Sequence, residues 1–327
     1  MNIFLAIITG MGLGFIIERG DMCFHSTWRN LLRKPSNPDL FRAYLLLLLI
    51  SIPLVQLFIF MGWIQPWIAP LAWRANLVGG LIFGVGMVVA KSCITGIFYK
   101  LGHGMLGVLV AMGTWFLGDI LTYLGPLAGW RNSLNSNPIQ VEGVSATVSN
   151  TLGVFAPILL ILLAAGAIYY LYQSPQDDRG KLWGWLPLGI GMGLMLSIAW
   201  LVAGFAGADY SYGTSRVPTG IFEVITGRGG TVFSWIPLTL FAIVPGALIA
   251  AYTSGTLWVR GEDMRRYTEL AAGGLLMGVG AGIAGGCNLG HSMVGVSLLS
   301  WGSIVTTVAI VAGVWAADRV FKIFGTT

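Results

Sequence analysis

The chain has 327 residues, of which 56% are hydrophobic and only 9% charged, with a mean hydropathy of +0.79 and a net charge of +5. Soluble domains carry about 25% charged residues, so a water-soluble enzyme or binding domain is excluded and a polytopic membrane protein is indicated. The small excess of positive charge does not mark a nucleic-acid binder, because loops between membrane spans account for it equally well.

Taken in order, the first apolar stretch, 1–17, holds a Gly-x-Gly-x-Gly spacing at 10–14. It lacks a basic start, and Glu18-Arg19-Gly20-Asp21 is no small-residue cleavage site, so it is expected to stay as a span rather than be removed. Glu18 and Arg19 are expected to pair with each other. Cys23 follows, and then "FHSTWRN", too polar to cross and expected as a half-helix or loop. Crossings are expected at 43–62, 76–101, 104–125 and 151–172, the third of these holding Asp119, an intramembrane carboxylate and hence a functional candidate. A polar linker at 173–182 leads to further crossings at 183–206, 232–258, 270–290 and 291–316, nine in all. Between them, "YGTSRVPTG" at 212–220 reads as a loop, with Arg216 a candidate lure for anions. Trp63, Trp67, Trp130, Trp183 and Trp258 fall near span ends, as interfacial anchors do.

Lys and Arg set the expected orientation. Arg29, Arg33, Lys34, Arg42, Arg179, Lys181, Arg260, Arg265, Arg266, Arg319 and Lys322 share one side, against Arg74, Arg131, Arg216 and Arg228 on the other. The N-terminus is therefore expected outside and the C-terminus in the cytoplasm.

One segment occurs twice. "GGLIFGVGMVVAKSCITG" at 79–96 and "GGLLMGVGAGIAGGCNLG" at 273–290 share 9 of 18 positions without a gap, with Cys93 against Cys287. "GMGLGF" at 10–15 and "GIGMGL" at 189–194 form a weaker echo. The two echoes divide the chain into halves of about 1–172 and 183–327, and five crossings in the first half invert the second, the inverted-repeat plan of many transporters. Glycine at such density disfavours continuous helix, so both repeated segments are expected to be broken or re-entrant and to meet near the midplane around the substrate.

Cys23, Cys93 and Cys287 lie far apart in sequence and form no CxxC, so they read as separate thiols. A lone membrane cysteine usually packs, but equivalent Cys-x-x-Gly positions in two broken helices are not explained by packing. A thiol is a weak donor and a soft acceptor, suited to a sulfur atom, while a half-helix start such as Gly285-Gly286-Cys287-Asn288 offers N–H groups to an anion. A metal is not expected. Zn2+ or Cu(I) could call on the cysteines with His25, His103 and His291, yet only Cys287 and His291 share an i, i+4 spacing. No phosphate-binding loop is present, so neither ATP hydrolysis nor a cofactor is expected. Lys91 stands where the second copy has Gly285; it could attract an anion or simply snorkel. The residues suit a carrier of a small sulfur-bearing anion. A membrane thiol oxidoreductase would need paired cysteines, and a structural subunit would tolerate their loss.

Carried chiefly by Gly278-x-Gly280 through Ala284-Gly285-Gly286-Cys287-x-x-Gly290-His291, the chain resembles the YeeE/YedE family of bacterial inner-membrane proteins, the thiosulfate-transporter family. Gly84-x-Gly86 through Cys93-x-x-Gly96, and "RGDMCF" at 19–24, add to a resemblance that covers essentially the whole chain. It implies an all-α, hourglass-like protein of nine spanning helices plus short ones, arranged as a pseudo-two-fold inverted pair. It further implies import of thiosulfate into the cytoplasm, passed along Cys23, Cys93 and Cys287 by S–H···S contacts. Some relatives work beside a small cytoplasmic sulfurtransferase of the TusA type, and related branches handle other sulfur or selenium species.

Overall fold

The computed structural model describes residues 3–33, 36–175, 179–230 and 232–323. The first two residues of crossing 1–17, Lys34, and 176–178 of the linker lie outside the described residues. The fold is all-α. In order it comprises α1 (Ile3–Gly20), α2 (Phe24–Leu32), α3 (Asp39–Phe60), α4 (Trp73–Ala90), α5 (Ile94–His103), α6 (Val108–Tyr123) and α7 (Ala128–Asn135). A two-stranded hairpin, β1 (Gln140–Val141) and β2 (Val144–Ser145), precedes α8 (Val148–Leu152) and α9 (Phe155–Tyr172). Then come α10 (Trp185–Phe205), α11 (Val217–Ile225), α12 (Trp235–Ser254), α13 (Met264–Ala284), a π-helical segment (Leu289–Gly295) and α14 (Trp301–Ile323). Among the described residues eight helices are long and apolar enough to span a membrane, nine when the pair α6 and α7, bent by 68°, is counted as one span.

The principal packing partners come in exchange-related couples. Helix α1 packs on α12 and α10 on α3; α4 packs on α14 and α13 on α6; α2 touches α14 and α11 touches α6. Helices α1 and α10 also meet, as do α4 and α13. Helix α9 stands outside this scheme and buries only Ala156 and Leu171.

Both repeated segments are broken, as expected, but the glycines at 79–86 and 273–282 lie within continuous helix, where they let helices touch backbone to backbone. A methyl on Gly79 would sit 2.7 Å from the Gly280 carbonyl oxygen, and one on Gly118 would sit 3.0 Å from Gly278 Cα. Small residues at crossings are how membrane helices gain van der Waals contact when lipid tails remove the hydrophobic drive. The breaks fall just beyond the glycine-rich helices, at 91–93 and at 285–288. Hydropathy also misplaced the seam between the last two spans, because 285–300 is sheathed almost wholly in protein and so as apolar as a span. Residues 24–32 form a short helix, one of the two outcomes expected for 24–30, while helix α11 begins within the expected loop 212–220, at Val217.

Candidate functional site

Helices α4 and α13 run antiparallel, with Gly79 against Ala284 at one end and Ala90 against Gly273 at the other. The two breaks therefore lie at opposite ends of the pair and do not meet directly, as had been expected. The link is Asn288, whose amide nitrogen lies 2.9 Å from Met87 Sδ, while its amide oxygen accepts from Trp28 Nε1 at 3.4 Å and from Ser292 Oγ at 3.0 Å.

At the first break α4 stops at Ala90, Lys91 turns left-handed (φ 48°) and Cys93 is the extended residue that opens α5. Cys23 holds the same place before α2. The starts of two short helices are thus brought together, and with them two thiols, Sγ to Sγ 3.5 Å. The first N–H groups of a helix have no partner inside it, and here sulfur receives them. Cys93 N–H donates to Cys23 Sγ at 3.3 Å, and Gly96 N–H donates to Cys93 Sγ at 3.2 Å. Gly96 must lack a side chain, since a Cβ would sit 2.9 Å from Cys23 Sγ. Lys100 Nζ donates to Ser92 Oγ and to the Lys91 carbonyl, each at 3.3 Å.

This break borders a first vestibule of about 210 Å³, lined by His25, Arg29, Arg33, Lys91, Arg265, Glu269 and Asp318 among others. Asp318 on α14 accepts from Arg29 (3.2 Å), Arg33 (2.6 Å) and Lys322 (3.0 Å), tying α2 to α14. Lys91 pairs with Glu269 at 3.0 Å. Glu18 does not pair with Arg19: it takes His103 at 2.6 Å, and Arg19 lies over the rings of Phe15 and Trp183.

At the second break Gly285 turns left-handed (φ 85°), and Gly286 presents its bare backbone to the His291 ring. Cys287 Sγ accepts from Leu289 N–H at 3.3 Å. His291 Nε2 faces the Ala284 carbonyl at 3.1 Å, which can only accept, so that nitrogen carries the proton. Its Nδ1 pairs with Ser303 Oγ at 3.0 Å, so both ring nitrogens are hydrogen-bonded. Tyr210 donates to the Gly290 carbonyl at 2.6 Å. A second vestibule of about 430 Å³ opens here, lined by Trp67, Asp209, Tyr210, Thr214, Arg216, Gly285, Gly286, Gly290 and His291 among others. The Thr214 hydroxyl, 1% exposed as a residue, approaches the Cys287 thiol yet closes no hydrogen bond to a described group. Arg216 adopts a left-handed conformation (φ 60°) and opens α11.

All three thiols are free and 1% exposed. Cys23, Cys93, Gly96 and Lys91 gather at the first break; Cys287, Gly285, Gly286, Gly290, His291 and Arg216 gather at the second; Asn288 stands between. Sequence reasoning missed Lys100, Ser92 and the Asp318 cluster, as well as Tyr210 and Thr214. Thr214 lies three residues before α11, whereas Cys23 directly precedes α2, so no matching spacing in the sequence marked it.

The family pattern described as Sulphur transport matches residues 19–316. The thiosulfate transporter TsuA of Spirochaeta thermophila is 28% identical over 323 residues, covering 96% of this chain and 97% of that protein. The protein of the same name from Escherichia coli is 25% identical over 328 residues, covering 95% and 92%. The probable transporter YedE of Salmonella typhimurium is 32% identical over 123 residues, 36% of this chain and 29% of its own length.

Proposed function

Because the chain belongs to the sulphur-transport family, we propose that it imports thiosulfate, or a close sulfur-bearing anion, through a bacterial inner membrane into the cytoplasm. In this reading the second vestibule faces outward and the first faces the cytoplasm, in line with the Lys and Arg distribution. The two halves, about 1–172 and 183–327, are internal repeats, and the exchange-related helix couples support that division.

The observation that carries the reading is the order of groups between the vestibules: Thr214 and Cys287 at one, Asn288 in the middle, Cys93 against Cys23 at the other. Thiosulfate has an oxyanion end and a soft terminal sulfur. The oxygens find Arg216, Tyr210 and backbone N–H groups, and the sulfur finds S–H donors. Each contact is weak enough to let go, as multi-site passage requires. Release on the far side meets Lys100, Arg29 and Arg33, and a small sulfurtransferase of the TusA type is the proposed cytoplasmic acceptor. Uptake of radiolabelled thiosulfate into proteoliposomes tests this, with sulfate, sulfite and selenium oxyanions as competitors. Protein-dependent uptake that thiosulfate and not sulfate competes away is the expected result, and no uptake above empty liposomes sinks the proposal.

One observation favours a second reading. Cys23 and Cys93 lie 3.5 Å apart, close enough for a thiol–disulfide couple once one sulfur moves. Quinone-coupled thiol oxidation by the purified protein, without solute uptake, would select a membrane oxidoreductase instead.

A further inference from the structure

Asp119 on α6 is fully buried inside a membrane-spanning helix. Its Oδ1 accepts two hydrogen bonds from Thr219 on α11, from the hydroxyl at 2.6 Å and from the backbone N–H at 3.2 Å. Its Oδ2 is buried and takes no hydrogen bond from the described residues. Among the described residues no salt bridge reaches it: the Arg216 guanidinium lies toward Glu223, at 3.9 Å, and the Tyr123 ring, at 5.6 Å, so its charge acts on Asp119 only from a distance. A charged carboxylate with one bare oxygen is costly at this depth, and intramembrane carboxylates of this kind mark proton sites.

The position links that site to the second vestibule. Thr219 lies in the first turn of α11, so Asp119 occupies the positive end of that helix from behind. Thr214 and Arg216, just ahead of the same helix start, line the vestibule from the front. An anion arriving there and an ionised Asp119 compete for one helix end in a medium of low dielectric. We propose that Asp119 is a proton-binding site whose occupancy rises when an oxyanion enters the second vestibule. The carboxylate takes one proton from the solution that fills the vestibule, at Oδ2, and no bond to the anion forms. Reciprocity then requires that protonation tighten anion binding. The inference rests on the transport reading for the identity of the anion.

The other charged or titratable groups around Asp119 leave it the candidate for this role. On α11 they are Arg216 and Glu223, which face each other. On α7, Arg131 lies 4.2 Å from the Tyr123 ring and donates to the Gly282 carbonyl. Tyr123, one turn further along α6, bonds Ser215 at 2.7 Å. Helix α13 faces Asp119 with Gly278, and α5 meets α6 through Phe98 on Trp115. The vestibule lining adds Asp209 and His291, the latter hydrogen-bonded at both ring nitrogens, and Cys287 follows Gly286 of that lining.

Titration calorimetry of thiosulfate on the purified protein, in two buffers of different ionisation heat and at acidic and neutral pH, tests the proposal. Wild type is expected to take up protons on binding and to bind about fivefold or more tightly at the acidic pH. Asp119→Asn is expected to bind thiosulfate with neither buffer-dependent heat nor pH dependence. Should that variant not fold, Thr219→Val keeps the carboxylate but removes one donor, and its pH profile is expected to move to higher pH. Wild-type binding without proton uptake overturns the inference, as does an Asp119→Asn protein that still takes up protons. Absence of thiosulfate binding by wild type at either pH sinks the transport reading and this inference with it, whereas loss of proton uptake alone leaves transport standing.

Discussion

The breaks after α4 and after α13 answer the same backbone requirement with different residues. Both need a left-handed residue to stop the helix; the first uses Lys91 at φ 48° and the second uses Gly285 at φ 85°. A side chain in that region costs about 1 kcal/mol, and the lysine accepts the strain while its ammonium reaches Glu269. The first break places its thiol against a second thiol and under a basic mouth; the second places its thiol beside a hydroxyl and near a hydrogen-bonded imidazole. Equivalent position in a repeat thus preserves the backbone path and leaves the chemistry free to diverge.

The largest way to break the comparison is to deny the helices their contact. Gly278→Leu drives a side chain into the backbone of α6, where neither partner can yield, and overpacking costs about 1–3 kcal/mol even where neighbours can adjust. Loss of a monodisperse peak and of the thermal transition in detergent is expected. Gly113→Leu on the same α6, where an added Cβ meets nothing within 4 Å, is expected to behave as wild type.

Next in size is the thiols themselves. Cys23→Ser, Cys93→Ser and Cys287→Ser are each expected to lower thiosulfate uptake about tenfold, near 1.4 kcal/mol, while keeping the melting temperature. The paired sulfurs predict strong non-additivity: the double variant at 23 and 93 should be little worse than either single one. Cys287, with no thiol partner, should combine additively with both. Equal additivity throughout would erase the distinction between the two ends.

The smallest expected effect is at Lys91. Lys91→Gly relieves about 1 kcal/mol of backbone strain and gives up a half-exposed ion pair worth less than about 1 kcal/mol. Stability should hardly change and uptake should persist. A collapse of uptake with unchanged stability would make this lysine part of the anion path.

Span positions and the repeat were legible because hydropathy and identity at fixed offset are properties of single segments. Cys93 and Cys287 were legible for the same reason. The glycines announced the two breaks but not their place: helix propensity counts the cost of glycine and is blind to the contact that offsets it, which at Gly118 and Gly278 is another helix's backbone. The Cys23–Cys93 pair joins positions 70 residues apart, and Asp318 gathers cations from α2 across the whole chain; no local pattern announces either. The segment 285–300 hid the true start of the last span, at Trp301, because burial in protein and burial in lipid call for the same apolar residues.

The hydroxyl beside Cys287 has a consequence for the attitude of the passenger. Thr214 offers a hard donor where Cys23, Cys93 and Cys287 offer soft ones. On the proposed path, a two-ended anion entering the second vestibule is turned, oxygens retained at the mouth and sulfur leading inward. A tetrahedral anion with four identical oxygens has no soft end to present, and the proposed path then selects by softness as well as by size.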